Sequence, residues 1–187
     1  MALIAAAAGN LQGKLMKPKI EADLQPQMFA QVLTPNQALE VREIMSTVTE
    51  EAGGTGGIVR SKLAGTGITS GGKTGTADKD GVIVYNKDGT KKTHKERKKN
   101  ADGEIVEVDV ADTYTRWDGW FLVLAPLENP QVAIAVVIED IGGSAYGGTT
   151  AAPIAADIIL KARELGLLGE KYTPKKQTEP QPKKKKK

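Results

Sequence analysis

Lys73, Thr74 and Gly75 stand in the run GITSGGKTGTADKDG, residues 67–81, and three chemistries compete for the lysine. Taken as G-x-x-x-x-G-K-[ST], Gly67, Gly72, Lys73 and Thr74 spell a phosphate-binding loop. Taken as S-x-x-K, Ser70 is a nucleophile with Lys73 one helical turn further on. Taken as K-T-G on a strand edge that lines a pocket, the three residues divide the work of acyl transfer. Lys73 is then a fixed cation beside a nucleophile and a substrate carboxylate, and Thr74 offers that carboxylate a hydroxyl. Gly75 carries no side chain, so a substrate backbone can approach closely. The backbone N–H of Thr76 can serve as an oxyanion donor, worth roughly 2.7–4 kcal/mol in the transition state.

Context weighs differently on the three. A phosphate-binding loop needs a buried strand before it and a helix that starts at Lys-Thr, because the helix N-terminus holds the phosphate. Here GIVRSKLAGTG before the motif is only weakly apolar, and GTADKDG after it does not start a helix. AVVIED, at 135–140, does look like an apolar strand ending in an acid that could hold magnesium, but a core strand reads the same way. A nucleophilic Ser70 needs a helical turn, and SGGK puts two glycines in it, each costing about 1 kcal/mol against alanine. The K-T-G chemistry suits the β-tolerant KTGTA, although a Gly-rich turn with a surface lysine would look the same on the tripeptide alone.

The elements that must position these residues are legible around them. Residues 2–9 read as the end of an Ala-rich helix stopped by Gly9-Asn10, and KLMKPKI follows as extended chain because Pro18 disfavours helix before it. TPNQALEVREIMSTVTEEAGG is the clearest helix. Thr34 is its N-cap, Pro35 suits N1, Gln37 completes a capping box, and Gly53-Gly54 ends it. Its apolar face is expected at Val41, Ile44, Met45 and Val48. VIVYNKDGTKK reads as a hairpin around Asp88-Gly89, and EIVEVDV as a half-exposed strand, with the charge run 91–99 between them. WFLVL (120–124) and VAIAVVI (132–138) predict an antiparallel pair buried on both faces. Residues 147–169 predict a last helix, with Pro153 in its first turn and Ile154, Ile158, Ala162 and Leu165 in one stripe. The order is helix, helix, strand, insertion, two strands, helix.

Composition narrows the function classes. The chain has 187 residues, enough for one domain with a core, and aromatics make up only 4%, too few for a nucleic-acid stacking platform. With no cysteine, disulfides, thiolate metal sites and cysteine nucleophiles are excluded. The single histidine, His94, sits in the Lys-rich run KKTHKERKK, a poor place for a general base. The net charge of +3 hides an asymmetry: residues 172–187 hold seven lysines against Glu179, which leaves the other residues at −3. That Pro/Gln/Lys tail is expected to be disordered and solvated, with attraction to an anionic surface as the sharper alternative. No run of about twenty apolar residues spans a membrane, and MALIAAAA lacks the basic start of a signal peptide.

Taken together, LTPNQALEVREIMSTVTEEAGGTG, then GGKTGTA, WFLVLAPLENPQVAIAVVIED and GGTTAAPIAADIILKA resemble, in that order, the C-terminal part of the transpeptidase domain of penicillin-binding proteins, most closely the class B kind. The resemblance covers about residues 1–77 and 117–168, and MALIAAAAGNLQGKLMKPKI fits the helix and extended segment that follow the family's second signature. It implies an α/β (α+β), β-lactamase/transpeptidase-like fold, a mostly antiparallel sheet between helices. It also implies a serine acyl-enzyme that cross-links peptidoglycan stem peptides and is acylated by β-lactams. Lys73 would be the active-site cation, Thr74, Gly75 and Thr76 the substrate contacts, and Thr76 N–H the oxyanion donor. No cofactor or metal is implied, and the location would be the outer face of the cytoplasmic membrane or the periplasm.

One departure is decisive. The S-x-x-K nucleophile and the S-x-N signature are missing, and Ser46, Ser61, Ser70 and Ser144 fit neither role. The expectation is therefore an incomplete domain: residues 1–171 as its C-terminal portion, 78–116 as an inserted polar ribbon, and 172–187 as tail. By itself such a chain is expected to be inactive. Its expected partners are stem peptides, β-lactams and an N-terminal complement of the same domain, with no nucleic acid and membrane contact only through the missing part. Without that complement, VAIAVVI would present an open apolar edge. The rival assignments are a serine β-lactamase or penicillin-sensor fragment, a P-loop nucleotide-binding protein, and a non-catalytic scaffold module.

Overall fold

The structure, a computed structural model, describes residues 1–143 and 145–174. Its elements run α1 (Ala2–Gly9), β1 (Lys14–Met16), β2 (Met28–Gln31), α2 (Pro35–Glu50), α3 (Ile58–Leu63), β3 (Gly71–Ile83), β4 (Thr93–Lys99), β5 (Ile105–Ala111), β6 (Thr113–Ala125), β7 (Val132–Ile138) and α4 (Gly147–Glu164). β3, β6 and β7 form a three-stranded antiparallel sheet in that order, so β6 is central and β3 and β7 are its edges. The short β1–β2 hairpin and α3 are additions to the order expected from sequence.

Alternation along β6 divides the core. Phe121, Val123 and Ala125 point into a cluster with Val59 and Leu63 of α3 and Ala151, Ala155 and Ile159 of α4. Leu124 faces the other way, toward Gly9 of α1. Each large apolar side chain so buried contributes about 1.5–3 kcal/mol. β7 is only half-buried along most of its length, against the expectation of burial on both faces, because an edge strand has a neighbour on one side only.

Two helix faces also differ from expectation. In α2 the Thr34–Gln37 capping box is present, with both bonds made. The buried positions, however, are Ala38, Arg42 and Thr49, while Ile44 is 68% exposed. Arg42 Nη1 donates to Ala8 O at 3.0 Å and Thr49 Oγ1 to Ser70 O at 2.6 Å, so two buried polar groups dock α2 onto α1 and onto the lead-in to β3. In α4 the core face is made of Ala151, Ala152, Ala155, Ala156, Ile159 and Ala162, and Ile154, Ile158 and Leu165 are exposed. Small side chains win that face because the helix must come close to β6. A Cβ on Gly119 would lie 2.6 Å from Thr150 Oγ1. Pro153 is inside α4 rather than in its first turn, since the helix already starts at Gly147.

β3 and β6 continue past the core as a long hairpin whose far end carries the Asp88-Gly89 turn and the β4–β5 ribbon. On one face of the ribbon Lys95 and Arg97 oppose Asp109 and Glu107; on the other, His94, Glu96 and Lys98 lie over Val110, Val108 and Val106. Opposite charges and aliphatic stems over valines are the pairings that hold a solvated two-stranded ribbon. His94 bonds Asp112 (2.7 Å) and Glu96 (3.1 Å), and these carboxylates raise its pKa, the bond to Asp112 most.

The chain end is strapped back onto the body. Tyr172, expected at the head of the tail, is buried in the core cluster, while residues 175–187 of that tail lie outside the described residues. Lys171 Nζ (2.8 Å) and the Tyr172 hydroxyl both donate to Glu128 on the β6–β7 connection. The bond from Lys171, then that from Tyr172, hold the Glu128 carboxyl at about 2 rather than its ordinary 4.5. A carboxylate depressed in the folded state stabilises above its unfolded pKa, and that stability is lost as pH falls. Between pH 4.5 and 2 the native protein should therefore lose melting temperature faster than Glu128→Gln, by the equivalent of less than about 1 kcal/mol because the pair is solvated. Thermal melts across that window check it; identical slopes would mean the strap carries no charge-dependent stability.

Candidate active site

The Lys-Thr-Gly segment lies on the free edge of β3. Its residues pair with Leu122, Phe121 and Trp120 of β6 on one side, and no strand pairs with the other side among the described residues. The lead-in glycines are forced by packing. A Cβ on Gly72 would come within 2.7 Å of the Phe121 ring and 3.0 Å of Leu122 O, so the strand enters flat against the core. Ser70, just before it, is buried, with its hydroxyl on Glu50 Oε1 at 3.1 Å.

Along the free edge lies an open cleft of about 490 Å³, walled by Lys73–Thr76, by Thr55 from the α2–α3 loop, and by Tyr146–Thr149 at the start of α4. Lys73 is exposed, and its Nζ donates to Thr74 O at 2.6 Å. Thr74 is half-buried, and its hydroxyl is 2.8 Å from Thr55 Oγ1. Gly75 is open: a Cβ there would meet only Trp120 Cβ, at 3.4 Å. Thr76 is exposed at the same rim. All four residues singled out from the sequence thus line one cleft.

α4 completes the wall because two glycines let it approach. A Cβ on Gly147 would fall 2.1 Å from Trp120 O and 2.5 Å from Gly75 O, and one on Gly148 2.1 Å from Thr55 O. Tyr146 is the N-cap of the helix, and its carbonyl accepts from Thr149 N and Thr150 N, both at 3.0 Å. The positive end of an 18-residue helix therefore borders the cleft beside a lysine, a field that favours anions.

The arrangement can bind a carboxylate and hold a peptide backbone against a strand edge. Among the described residues no serine lines the cleft, and Ser46 and Ser61 donate back into their own helices. β3 runs on through Ile83, so no helix follows Thr74 and the phosphate-binding-loop assignment lacks its anion site. His94 belongs to the ribbon and does not line the cleft. Among the described residues no cluster of His, Asp or Glu could hold a metal ion. Sequence reasoning missed Thr55, Tyr146 and Thr149. For Thr55 a signal existed, since it is the lone side chain in Gly53-Gly54-Thr55-Gly56-Gly57.

Comparison with known proteins gives a consistent picture. Residues 1–160 match the family described as "Penicillin binding protein transpeptidase domain". The chain is 29% identical over 160 residues to the "Probable peptidoglycan D,D-transpeptidase PenA" of Neisseria flavescens, covering 84% of this chain and 31% of that protein. Among solved structures it resembles the D,D-transpeptidase domain of a peptidoglycan glycosyltransferase from Eggerthella lenta, with TM-score 0.55 and 24% identity over 88% of this chain and 31% of that one. It also resembles the transpeptidase domain of penicillin-binding protein 3 from Burkholderia pseudomallei, with TM-score 0.53 and 22% identity over 90% of this chain and 42% of that one. Penicillin-binding protein A of M. tuberculosis, in its imipenem acyl-enzyme complex, gives TM-score 0.53 and 22% identity over 86% of this chain and 29% of that one. The structural likenesses establish the fold, a sheet between helices of the β-lactamase/transpeptidase kind. The chain spans about a third of the length of the curated relative.

Proposed function

The chain belongs to the penicillin-binding protein transpeptidase family, and from that premise we propose that it forms the K-T-G half of a peptidoglycan D,D-transpeptidase site whose serine lies outside these 187 residues. The serine oxygen attacks the carbonyl of the penultimate D-alanine of a stem peptide and expels the terminal D-alanine. An amine of a neighbouring stem then displaces the serine and leaves a cross-link. β-Lactams acylate the same serine. Lys73 supplies the cation, Thr74 the hydroxyl for the substrate carboxylate, Gly75 the room for the substrate backbone, and Thr76 N–H one oxyanion contact.

The observation that carries this reading is the cleft itself: an edge strand that lines it with Lys73, Thr74 and Gly75, and the N-terminus of α4 beside it. The family match and the transpeptidase relative favour it over a β-lactamase, a sensor or a nucleotide-binding protein. Residues 1–171 are in this reading the C-terminal portion of the domain. Residues 78–116 are a polar ribbon beyond the cleft, and Tyr172 belongs to the body of the domain rather than to the Lys-rich tail. β7, half-buried and open on one side, is the edge that a complementary N-terminal strand would cover. The site would work at the outer face of the cytoplasmic membrane or in the periplasm. Among the described residues no helix is long and apolar enough to cross a membrane.

Intact mass spectrometry after incubation with a fluorescent penicillin tests it. The expected result is one covalent adduct on a serine outside residues 1–187, in the same polypeptide or in a co-purifying one. An adduct on a residue of this chain would overturn the assignment of the nucleophile. No adduct on any component would overturn the transpeptidase reading.

A further inference from the structure

We infer that Thr55 is a positioning residue for recognition of the substrate carboxylate: its hydroxyl donates to Thr74 Oγ1 and so turns the Thr74 proton toward the cleft. The inference rests on the transpeptidase reading above and adds to it a residue and a hydrogen-bond direction. A threonine hydroxyl has one proton and two lone pairs. At 2.8 Å one of the two hydroxyls must donate to the other. If Thr74 spent its proton on Thr55, it would present only lone pairs to an incoming carboxylate, which has no proton to give. The productive order is therefore Thr55 to Thr74 to carboxylate, with each hydroxyl polarising the next.

The fold holds Thr55 rigidly for this task. A Cβ on Gly54 would sit 2.4 Å from Val48 O, and one on Gly56 2.9 Å from the Phe121 ring, so both flanking positions press bare backbone against fixed atoms. Gly56 N donates to Val48 O at 2.9 Å, tying the loop to the end of α2. Thr55 O packs under Gly148, whose Cβ would fall 2.1 Å away and 3.3 Å from Thr74 Cγ2. The α2–α3 loop, β3 and the start of α4 meet at this point. Among the described residues Thr55 Oγ1 is the one hydrogen-bond partner of the Thr74 hydroxyl.

The test uses the complete transpeptidase that carries this segment, and measures second-order acylation rate constants for a penicillin and for its methyl ester, which lacks the anionic carboxylate. In Thr55→Val the acid-to-ester rate ratio should fall about tenfold, the effect of mis-setting one charge-assisted hydrogen bond. Thr55→Ser should restore the ratio, and Thr55→Val should add little in a Thr74→Val background. An unchanged ratio in Thr55→Val, equal slowing of acid and ester, or full additivity with Thr74→Val would each overturn the inference while leaving the transpeptidase reading intact. A native enzyme acylated by neither compound would overturn that reading and this inference with it.

Discussion

Replacing Gly147 by alanine is expected to lower the melting temperature of the complete domain by on the order of 6–12 °C and to abolish penicillin acylation. A methyl at this position would be placed 2.1 Å from Trp120 O, 2.5 Å from Gly75 O and 2.9 Å from Trp120 N. All three are backbone atoms of the paired β3 and β6 strands, so no side chain can swing aside. Either α4 lifts from the sheet or the Gly75–Trp120 pair opens. Overpacking of this kind costs about 1–3 kcal/mol, and the upper end applies where the obstacle is backbone. Lifting α4 would withdraw Tyr146–Thr149 from the cleft that Gly75 lines, so catalysis should fail along with stability. Gly75→Ala is the instructive contrast. Its methyl meets only Trp120 Cβ at 3.4 Å, so the melting temperature should hardly move, while acylation should fall if, as proposed, substrate backbone passes there. Paired calorimetry and acylation kinetics separate the two. Near-native stability in Gly147→Ala would mean that α4 does not approach the strand as closely as the structure shows.

Lys73→Ala should do the reverse, sparing the fold and removing the chemistry. The side chain is exposed and its one hydrogen bond among the described residues is to the adjacent Thr74 O, so stability should change by no more than about 0.5 kcal/mol. If the ammonium stabilises charge in the acylation transition state, its removal should lower the acylation rate by about 10²–10³, as loss of one preorganised electrostatic contact does. Lys73→Arg keeps the charge on a broader planar group and should recover only part of the rate. Stopped-flow acylation by a fluorescent penicillin reads both variants. A native rate in Lys73→Ala would remove the lysine from the mechanism, whatever the fold.

Local chemistry made several elements readable in advance. The Thr34–Gln37 capping box, the Asp88-Gly89 turn and the apolar runs of β6 and β7 each depend on residues within a few positions of one another. Helix faces were less readable. Periodicity placed Ile44 and Ile154 inside, yet both are exposed, because apolar spacing marks a stripe without saying which surface receives it. In α2 the deciding partners are Ala8 O for Arg42 and Ser70 O for Thr49, 34 and 21 residues away. In α4 the decision lies with Gly119 of β6, where only a small-residue face can come near enough.

The candidate site divides in the same way. Lys73, Thr74, Gly75 and Thr76 are consecutive, so one strand edge presents them together, and the order of the surrounding motifs was enough to assign the family. That Ser70, which has the S-x-x-K spacing, carries two glycines where a helical turn is needed is likewise a property of the sequence alone. Only the tertiary structure brought Thr55 to 2.8 Å from Thr74 and set the start of α4 against Gly75. Those contacts join residues 19 and 72 positions apart, the second across a glycine whose need for bare backbone appears only once the partner surface is in place. Sequence spacing encodes what a continuous strand or helix turn can hold together; the approach of separate elements depends on packing shape, which no local pattern records.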